Sequence, residues 1–250
     1  MRRSEGVFVV EGAKLLGSAL DAGAVIEAVF VESSARSDPQ LATVLDTAHG
    51  RGARVFDLAP GVLERIADTV TPQPVLAIVA TPLATLEEVA AATFVVVCVD
   101  VRDPGNGGAV IRVADAAGAD AVVCCDGTVD PFNPKTVRAS AGSVLHLPVV
   151  VAGAAGPALG TLGRHGLMRA AAVSQGGTPY TDMDLTAPLA LVLGNESSGL
   201  PSTLDALLDA RVTVPMAGGA ESLNVSTAAA VLCFEVARVR SNLHAMGEAR

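Results

Sequence analysis

The sequence has few aromatic and few charged side chains for its length. Of its 250 residues, only 3% are aromatic, none is tryptophan, and 17% are charged. Half of the residues are hydrophobic, and these are mostly alanine and valine. Because such small side chains each bury little area, a core built from them must be extensive and layered. A chain of this length forms one large or two modest globular domains.

Cysteine and histidine are also scarce, which argues against two kinds of site. Cys98, Cys124, Cys125 and Cys233 lie within apolar strand or helix patterns, and no C-x-x-C pair occurs. This pattern is typical of buried, reduced thiols rather than of a disulfide framework or a redox motif. The four histidines are scattered without the spacing of metal ligands, so we expect no metal site.

Long apolar runs and an excess of positive charge are missing as well. The longest apolar stretches, Thr93–Val99 and Ala119–Cys125, fall well short of the roughly 18 residues of a membrane span. The first residues lack the apolar region of a signal peptide, so we expect a cytoplasmic protein without a membrane partner. The net charge of −9 argues against binding nucleic acid through bulk charge, although it allows a local basic surface.

Strand-like and helix-like patterns alternate along the whole chain. We predict a compact α/β domain over residues 1–80, a linker over residues 81–92, and a larger α/β domain over residues 93–250. Strands that alternate with helices predict a mostly parallel sheet with helices on both faces. The last helix is expected to run from about Asn224 to Leu243.

Three glycine-rich loops in the larger domain each follow a strand-like apolar run. They span Asp103–Arg112, Leu191–Leu200 and Val214–Ser226. Glycine lets a backbone approach a ligand closely, and open α/β sheets bind small molecules at strand-to-helix loops. The loops therefore predict one composite ligand site, and the helix after the first loop is expected to begin at Ala109. The candidate functional side chains of the loops are Asn106, Arg112, Glu196, Ser222 and Asn224.

These loops match two familiar motifs only in part. Gly105–Gly107 resembles the start of a dinucleotide-binding fingerprint, but its third glycine position is Val110. Gly194–Gly199 has the spacing G-x-x-S-x-G instead of the G-x-S-x-G of a nucleophile elbow. The residues thus favour neither a dehydrogenase nor a serine hydrolase. Each polar residue also has a purely structural interpretation, and Ser222 and Asn224 could cap the last helix.

Taken together, the loops resemble the three signature motifs of the SpoU (TrmH-type) RNA 2′-O-ribose methyltransferases, in the same order and with close spacing. Asn106 and Arg112 match the first motif, and G-x-E-x-x-G over Gly194–Gly199 matches the second. Pro215–Met216 and the run S-L-N-V-S over Ser222–Ser226 match the third.

Parts of the chain outside the loops are similar to the same family. The run over Asn133–Ser140 resembles a family sequence, and F-V-V-E-G over Phe8–Gly12 resembles the start of its ribosomal-protein-like substrate-binding domain. Asp103 departs from the pattern, because the family often has asparagine there. The chain before Phe8 is also shorter than in many relatives, which often carry a basic segment.

The resemblance implies the fold and the cofactor of the SPOUT superfamily. The implied fold is a mostly parallel α/β sheet with a C-terminal deep trefoil knot, preceded by a small α/β substrate-binding domain. The implied cofactor is S-adenosyl-L-methionine, and the implied assembly is a homodimer in which the catalytic arginine points into the partner's cofactor site. By motif position, the residues expected at or near the cofactor are Leu193, Gly194, Val214, Met216, Leu223 and Val225.

The implied reaction transfers a methyl group to a ribose 2′-hydroxyl, with Asn106, Arg112, Glu196, Ser222 and Asn224 as the catalytic set. Arg112 matches the family's catalytic arginine, which is proposed as the base. Because an arginine side chain stays protonated below about pH 12, it is a reluctant base. We hypothesise that Arg112 binds the target phosphate and orients or polarises the hydroxyl, whether or not it takes the proton.

The N-terminal domain is expected to select the RNA. The two-domain layout resembles the ribosomal-RNA branch of the family, so ribosomal RNA is favoured over transfer RNA. A catalytically inert RNA-binding or ribosome-assembly protein on the same scaffold is the alternative from another class. A role in antibiotic self-resistance is a further alternative. The basic residues predicted to contact RNA are Arg2, Arg3, Lys14, Arg51, Arg54 and Arg138.

Overall fold

The computed structural model describes residues 5–66 and 72–248, with side chains up to residue 242. Its N-terminal part forms a four-stranded sheet in the order β1-β4-β2-β3, in which β4 is antiparallel to β1 and β2, and β2 is parallel to β3. The elements are β1 (Val7–Glu11), α1 (Ala13–Asp21), β2 (Ile26–Glu32), α2 (Pro39–Gly50), β3 (Arg54–Leu58), α3 (Val62–Ile66) and β4 (Val75–Ala80).

The remaining chain builds an eight-stranded, all-parallel sheet in the order β10-β12-β9-β11-β6-β7-β8-β5. The strands are β5 (Leu83–Ala84), β6 (Phe94–Cys98), β7 (Ala121–Cys125), β8 (Val149–Gly153), β9 (Met168–Ala172), β10 (Thr178–Pro179), β11 (Leu189–Leu193) and β12 (Ala210–Thr213). The helices are α4 (Pro104–Ala116), α5 (Pro134–Ala139), α6 (Ala155–Arg164) and α7 (Val225–Glu248).

Both faces of the large sheet are covered by apolar side chains. Strands β6, β7 and β11 are buried along their whole length, as expected where helices cover a parallel sheet on both sides. Val96 and Leu191 belong to the apolar cluster on the face of α4 and α7, whereas Val95 and Val192 belong to the cluster on the face of α6. The predicted parallel sheet with helices on both faces is confirmed.

The predicted linker over residues 81–92 is a linker only in part. Leu83 and Ala84 pair in parallel with Val149 and Val150, so this segment supplies the edge strand of the large sheet. The sequence pattern missed this strand because two residues are too short to show a period. The four-stranded sheet ends at Ala80, where the predicted N-terminal domain also ends.

The first glycine-rich loop is not a loop, which corrects the prediction that its helix begins at Ala109. Helix α4 begins at Pro104, and the Asp103 side chain caps it by accepting a hydrogen bond from the Asn106 N–H over 2.8 Å. Gly105–Gly108 therefore form its first turns. The low helix propensity of glycine made a loop the natural expectation, but tertiary packing overrides that propensity here.

Packing between α4 and α5 explains the glycines of this segment. A Cβ atom at Gly108 would lie 2.4 Å from the Thr136 carbonyl oxygen and 2.5 Å from the Ala139 Cβ. A Cβ atom at Gly107 would lie 2.6 Å from a methyl group of Val129. Both distances are shorter than real contacts allow. Gly108 meets the backbone of α5 and therefore requires glycine for helix packing, whereas Gly107 meets a side chain in the segment before α5.

Helix α5 and the residues before it join the two sheets. The rings of Phe8 on β1 and Phe132 lie 5.0 Å apart between centroids, and both side chains are buried. Arg138 on α5 pairs with Glu11 at the end of β1, over 3.3 Å. The two parts therefore share a continuous apolar cluster. Among the helices that the structure describes, none combines the length and apolar character needed to cross a bilayer.

Replacing Gly108 by alanine tests the close helix contact. We expect Gly108→Ala to lower the free energy of unfolding by about 1–3 kcal/mol, because the new methyl group overpacks the interface of α4 and α5. The matched control is Gly17→Ala in α1, where an added Cβ meets nothing within 4 Å. Removing a helical glycine there should stabilise the protein by about 0.5–1 kcal/mol. Equal stability of the two variants in urea unfolding would contradict the packing role.

Candidate functional site

A cavity of about 280 Å³ lies at the C-terminal ends of β9, β11 and β12, beside the beginning of α7. These strands are neighbours in the sheet and run parallel, so the loops that follow them meet at one edge. We call this space the central cavity. Its walls are mostly apolar, and they are formed by Ala172–Ser174, Leu193–Ser197, Gly199, Leu200, Val212, Val214, Met216, Ser222, Leu223, Val225, Ala228 and Leu232.

The central cavity brings together every residue that the motif positions predicted for a cofactor. Two members of the predicted catalytic set, Glu196 and Ser222, also line it. The predicted cofactor residues are Leu193, Gly194, Val214, Met216, Leu223 and Val225.

Sequence reasoning missed two parts of the cavity wall. The first part, Ala172–Ser174, lies at the end of β9 and just after it. Strand β9 lies between β11 and β12, and no sequence motif marks it. Ala228 and Leu232 on α7 were missed too, although the signal was present. They follow Val225 at intervals of three and four residues, which puts all three on one helix face.

Backbone packing fixes the shape of the second loop. Asn195 and Gly199 exchange backbone hydrogen bonds of 3.0 Å in both directions. The side-chain oxygen of Asn195, Oδ1, accepts hydrogen bonds from the backbone N–H groups of Ser197 and Ser198. A Cβ atom at Gly194 would lie 2.6 Å from the Gly199 carbonyl carbon. Only glycine fits at position 194, so the loop folds tightly against the end of β11.

A chain of hydrogen bonds joins the three sequence motifs at the edge of the cavity. The Asn224 side-chain amide donates to Asn106 Oδ1 over 3.0 Å, and the Asn106 amide donates to Glu196 Oε1 over 2.9 Å. These residues come from the start of α7, the first turn of α4 and the loop after β11. Asn106 is thus the central member of the chain, acting as donor on one side and as acceptor on the other.

The carboxyl group of Glu196 is held in its ionised form. Partial burial would raise the pKa of Glu196, but the hydrogen bond from Asn106 and several backbone N–H groups outweigh it. The net effect is a pKa below the ordinary value of a glutamate. Because the folded-state pKa is depressed, this contribution to stability is present at neutral pH and is lost as the pH falls through the lowered pKa.

Asn224 also orders the beginning of α7. Its Oδ1 accepts hydrogen bonds from the Ser226 N–H over 2.9 Å and from the Ser226 hydroxyl over 2.7 Å. Asn224 therefore caps the last helix, as the structural interpretation of the sequence proposed, and it also bonds to Asn106. Ser222 is exposed and lies two residues earlier, at the wall of the central cavity.

A shallow depression, which we call the outer groove, continues from the central cavity toward the start of α4. The two spaces share the segment Asn195–Ser197. The remaining walls of the outer groove are Arg102–Pro104, Asn106 and Ser198. Among these residues, the sequence indicated a functional role only for Asn106 and Glu196. It gave no role to Arg102, because this residue precedes the first recognised motif.

Arg112 does not join the other motif residues. It is exposed on α4, lines neither space, and makes no hydrogen bond or ion pair within the described part of the chain. Six residues separate it from Asn106, which corresponds to about 9 Å along the helix and a rotation of about 120°. The two side chains therefore leave α4 in different directions.

The basic residues predicted to contact RNA are in different settings. Lys14 is exposed on α1, whereas the Arg51 guanidinium donates to the Leu20 carbonyl at the end of α1. The Arg54 guanidinium lies 5.9 Å from the centroid of the Phe56 ring. That ring is exposed and stacks on Phe30, with 5.3 Å between the ring centroids.

Of the other predicted RNA contacts, Arg138 is the one among the described residues. Arg138 is engaged with Glu11 at the junction of the two sheets, which gives it a structural partner that its sequence context did not reveal. Arg2 and Arg3 lie outside the described residues. Within the described ranges, no group of three or more histidine, cysteine, aspartate or glutamate side chains is arranged to hold a metal ion.

Two family models match this chain, one for each sheet. The model of the SpoU rRNA Methylase family matches residues 93–234, which contain the central cavity. The model of the MRM3-like substrate binding domain matches residues 1–77, which contain most of the four-stranded sheet.

Characterised sequences are similar to this chain over nearly its whole length. The 23S rRNA (guanosine(2553)-2′-O)-methyltransferase RlmP of Bacillus subtilis is 35% identical over 94% of this chain and 90% of its own. A 23S rRNA (uridine(2479)-2′-O)-methyltransferase of Streptomyces viridochromogenes is 30% identical over 96% of this chain and 85% of its own.

Solved structures are similar to the same extent. An AdoMet-bound rRNA methyltransferase from Sinorhizobium meliloti superposes with a TM-score of 0.85 at 33% identity, covering 95% of this chain and 89% of its own. The SpoU methyltransferase AviRb of Streptomyces viridochromogenes, in complex with AdoMet, superposes with a TM-score of 0.88 at 28% identity. That match covers 96% of this chain and 92% of AviRb.

The hydrogen-bonded chain predicts how one variant changes the titration of Glu196. Asn106→Ala removes a donor to the Glu196 carboxylate, so the pKa of Glu196 should rise toward its ordinary value. The measurement is a carboxyl-carbon NMR titration of both proteins, with Glu88 as an internal control. The Glu88 pKa is lowered by Thr85, far from this site, and it should not move. An unchanged Glu196 titration would contradict the bond to Asn106.

Proposed function

The chain belongs to the SpoU rRNA methylase family, and from that membership we propose that it is an S-adenosyl-L-methionine-dependent enzyme that methylates a ribose 2′-hydroxyl of ribosomal RNA. Relatives that cover nearly the whole chain carry the names of 23S rRNA 2′-O-methyltransferases. These names favour ribosomal RNA over transfer RNA, and an enzyme over an inert RNA-binding protein. The observation that carries the proposal is the Glu196–Asn106–Asn224 hydrogen-bonded chain, which joins three motifs beside one cavity.

The residues around the central cavity fit the cofactor. Apolar side chains such as Leu193, Val214 and Leu223 line the cavity and can surround an adenine ring. When bound, S-adenosyl-L-methionine supplies an electrophilic methyl group. Similar solved structures contain this cofactor. We therefore assign it to the central cavity, with Leu193, Gly194, Val214, Met216, Leu223 and Val225 as its surroundings.

The polar residues at the edge of the cavity hold the reactants in place. We assign to Asn106 the positioning of the ribose, because it is fixed from both sides by Glu196 and Asn224. Ser222 supports the third loop at the cavity wall. Alignment of the hydroxyl with the methyl group and its sulfur supplies much of the rate, because it replaces a random encounter by a fixed geometry.

Arg112 supplies the cation for the RNA. A ribose hydroxyl is a weak nucleophile until its proton is removed or strongly polarised. The free N–H groups of an exposed arginine can bind the target phosphate and polarise the adjacent hydroxyl at the same time. The hydroxyl proton then passes to solvent water, because a guanidinium that is already protonated cannot accept it.

The position of Arg112 supports a homodimer. It leaves α4 in a direction different from Asn106 and does not line its own chain's cavity, so a second copy has to provide the cavity that it serves. Small residues at Gly105, Ala109 and Ala116 lie on the same helix face as Arg112 and allow close approach. Phe234 on the neighbouring α7 is 51% exposed, which is unusual for phenylalanine.

The remaining features of the proposal concern the knot, the RNA-binding domain and the location. We assign to the segment after β12 the threading of a deep trefoil knot, on the strength of the family match alone. Residues 1–80 are assigned to RNA selection, with Lys14, Arg51 and Arg54 as basic contacts. A cytoplasmic location agrees with four buried cysteines that are free thiols.

Transfer of a tritiated methyl group from labelled cofactor to deproteinised total RNA tests the proposed function. We expect the label in large-subunit ribosomal RNA, at a nucleotide whose 2′-O-methylation then blocks alkaline cleavage. Calorimetric titration with the cofactor runs in parallel, because an inert protein of this fold need not bind it. Label in transfer RNA alone would overturn the substrate, and the absence of both label and binding would overturn the enzyme.

Arg112→Ala separates the two halves of the site. Cofactor affinity should stay nearly unchanged, whereas methyl transfer should fall by at least about 10²-fold, because the variant loses proton handling and the phosphate contact. Arg164→Ala is the control, since Arg164 is an exposed arginine on α6, at the opposite face of the sheet. Normal turnover by Arg112→Ala would contradict its assignment.

A charge at Phe234 tests the dimer. Phe234→Glu places a carboxylate in the proposed apolar interface, so sedimentation should change from dimer to monomer, and methyl transfer should fall with it. Phe56→Glu is the control for sedimentation alone, because Phe56 is similarly exposed but lies in the N-terminal sheet, against the proposed RNA contact Arg54. A wild-type protein that sediments as a monomer yet transfers methyl groups would contradict the shared site.

A further inference from the structure

A bidentate ion pair lies beside the site but belongs to none of the roles assigned above. Arg102 Nε and Nη2 donate to the two carboxylate oxygens of Asp100, over 2.8 and 3.0 Å. The Arg102 side chain is nevertheless 72% exposed, whereas that of Asp100 is 23% exposed. An exposed ion pair contributes little to stability. A purely stabilising role therefore does not explain why the surrounding chain holds this pair so firmly.

Three features fix Asp100 in place. Its backbone has a φ of 58°, in the left-handed region that few residues other than glycine adopt. The side-chain amide of Asn195 donates to the Asp100 carbonyl over 2.9 Å, which ties this turn to the second loop. Gly127 makes room for the carboxylate, because a Cβ atom there would lie 2.4 Å from Asp100 Oδ1.

The fixed carboxylate in turn holds the guanidinium of Arg102, which is a lining residue of the outer groove. Asp100 uses two of the five N–H donors of Arg102, so the opposite edge of the guanidinium keeps donors for another partner. Of the residues that line this groove, Arg102 is the only cation, and the groove adjoins the central cavity through Glu196.

The acidic groups of the groove are already engaged. Asp103 accepts a hydrogen bond from the first turn of α4, and Glu196 accepts one from Asn106. Carboxylates that line a groove repel an RNA phosphate unless a cation faces the phosphate there. Arg102 lines the same groove as these two acids, and the planar geometry of its donors suits phosphate oxygens.

We propose that Arg102 binds a backbone phosphate of the substrate RNA next to the target nucleotide, and that Asp100 is the positioning residue that aims its guanidinium. This inference rests on the proposed function, because it concerns the RNA that the enzyme methylates. It adds a substrate contact outside the recognised motifs, supplied by the same chain that contributes Asn106 and Glu196 to the site.

Salt dependence distinguishes a phosphate contact from a structural ion pair. The experiment measures kcat and KM for methylation of deproteinised large-subunit ribosomal RNA by the full-length enzyme at several KCl concentrations. For Arg102→Gln we expect KM to rise about tenfold at low salt. The slope of log KM against log salt should fall by about 0.7–0.9, the value of one lost phosphate contact. Loss of a merely structural pair leaves that slope unchanged.

Two further variants separate charge from orientation. Arg102→Lys keeps the charge but not the bidentate geometry, so the salt slope should recover while KM stays raised. Asp100→Asn leaves Arg102 charged but removes the carboxylate that orients it. This variant should also raise KM, and it should keep the wild-type slope of log KM against log salt. Arg211→Gln is the matched control, because Arg211 pairs with Asp205 over 2.8 Å at an exposed position outside both cavity and groove. It should change neither quantity.

The outcomes separate this inference from the proposed function. A wild-type enzyme that methylates the RNA while Arg102→Gln keeps the wild-type KM and salt slope overturns the role of Arg102 alone. A raised KM with an unchanged slope, accompanied by weaker cofactor binding in calorimetry or a lower Tm, shows a structural pair and overturns it as well. A wild-type protein that methylates no RNA overturns the proposed function and this inference together.

Discussion

The close contact between α4 and α5 is the constraint on which the rest of the structure depends. Gly108 brings the α4 backbone close to the Thr136 carbonyl, so the two helices pack closely at this position. On one side, α5 carries Arg138 to Glu11 and thereby holds the N-terminal sheet. On the other side, the same contact fixes the first turn of α4. One packing arrangement therefore sets both the domain arrangement and the position of the site.

The first turn of α4 holds the residues of the site in place. Asn106 lies two residues before Gly108, and it bridges Glu196 and Asn224, which come from segments far away in sequence. A side-chain amide can serve two such partners at once only if its own backbone does not move, because both hydrogen bonds depend on its orientation. The cap by Asp103 and the glycine contact supply that immobility, so the helix start acts as a common anchor for the loops after β11 and β12.

The sequence predicted where the site lies better than it predicted which packing contacts hold the site together. The glycine-rich loops after apolar strands predicted one composite site, whereas the resemblance to the SpoU family implied the individual residues around the central cavity. The prediction that the glycines of the first motif favour a ligand was wrong for Gly108, which allows the close approach of a neighbouring helix. That distinction depends on α5, about 30 residues away. The same holds for Arg138, whose partner Glu11 is 127 residues distant, and for Leu83–Ala84, whose pairing needs β8.

The negative net charge of −9 fits an RNA-modifying site of this kind better than it first suggests. Each carboxylate beside the outer groove has a partner within the protein: Asp100 has Arg102, Asp103 has the helix start, and Glu196 has Asn106. These acids therefore organise donors as well as adding charge. An RNA strand attracted by bulk charge would bind anywhere. A chain with a net negative charge instead depends on oriented donors at particular positions, so its acidity contributes to specificity.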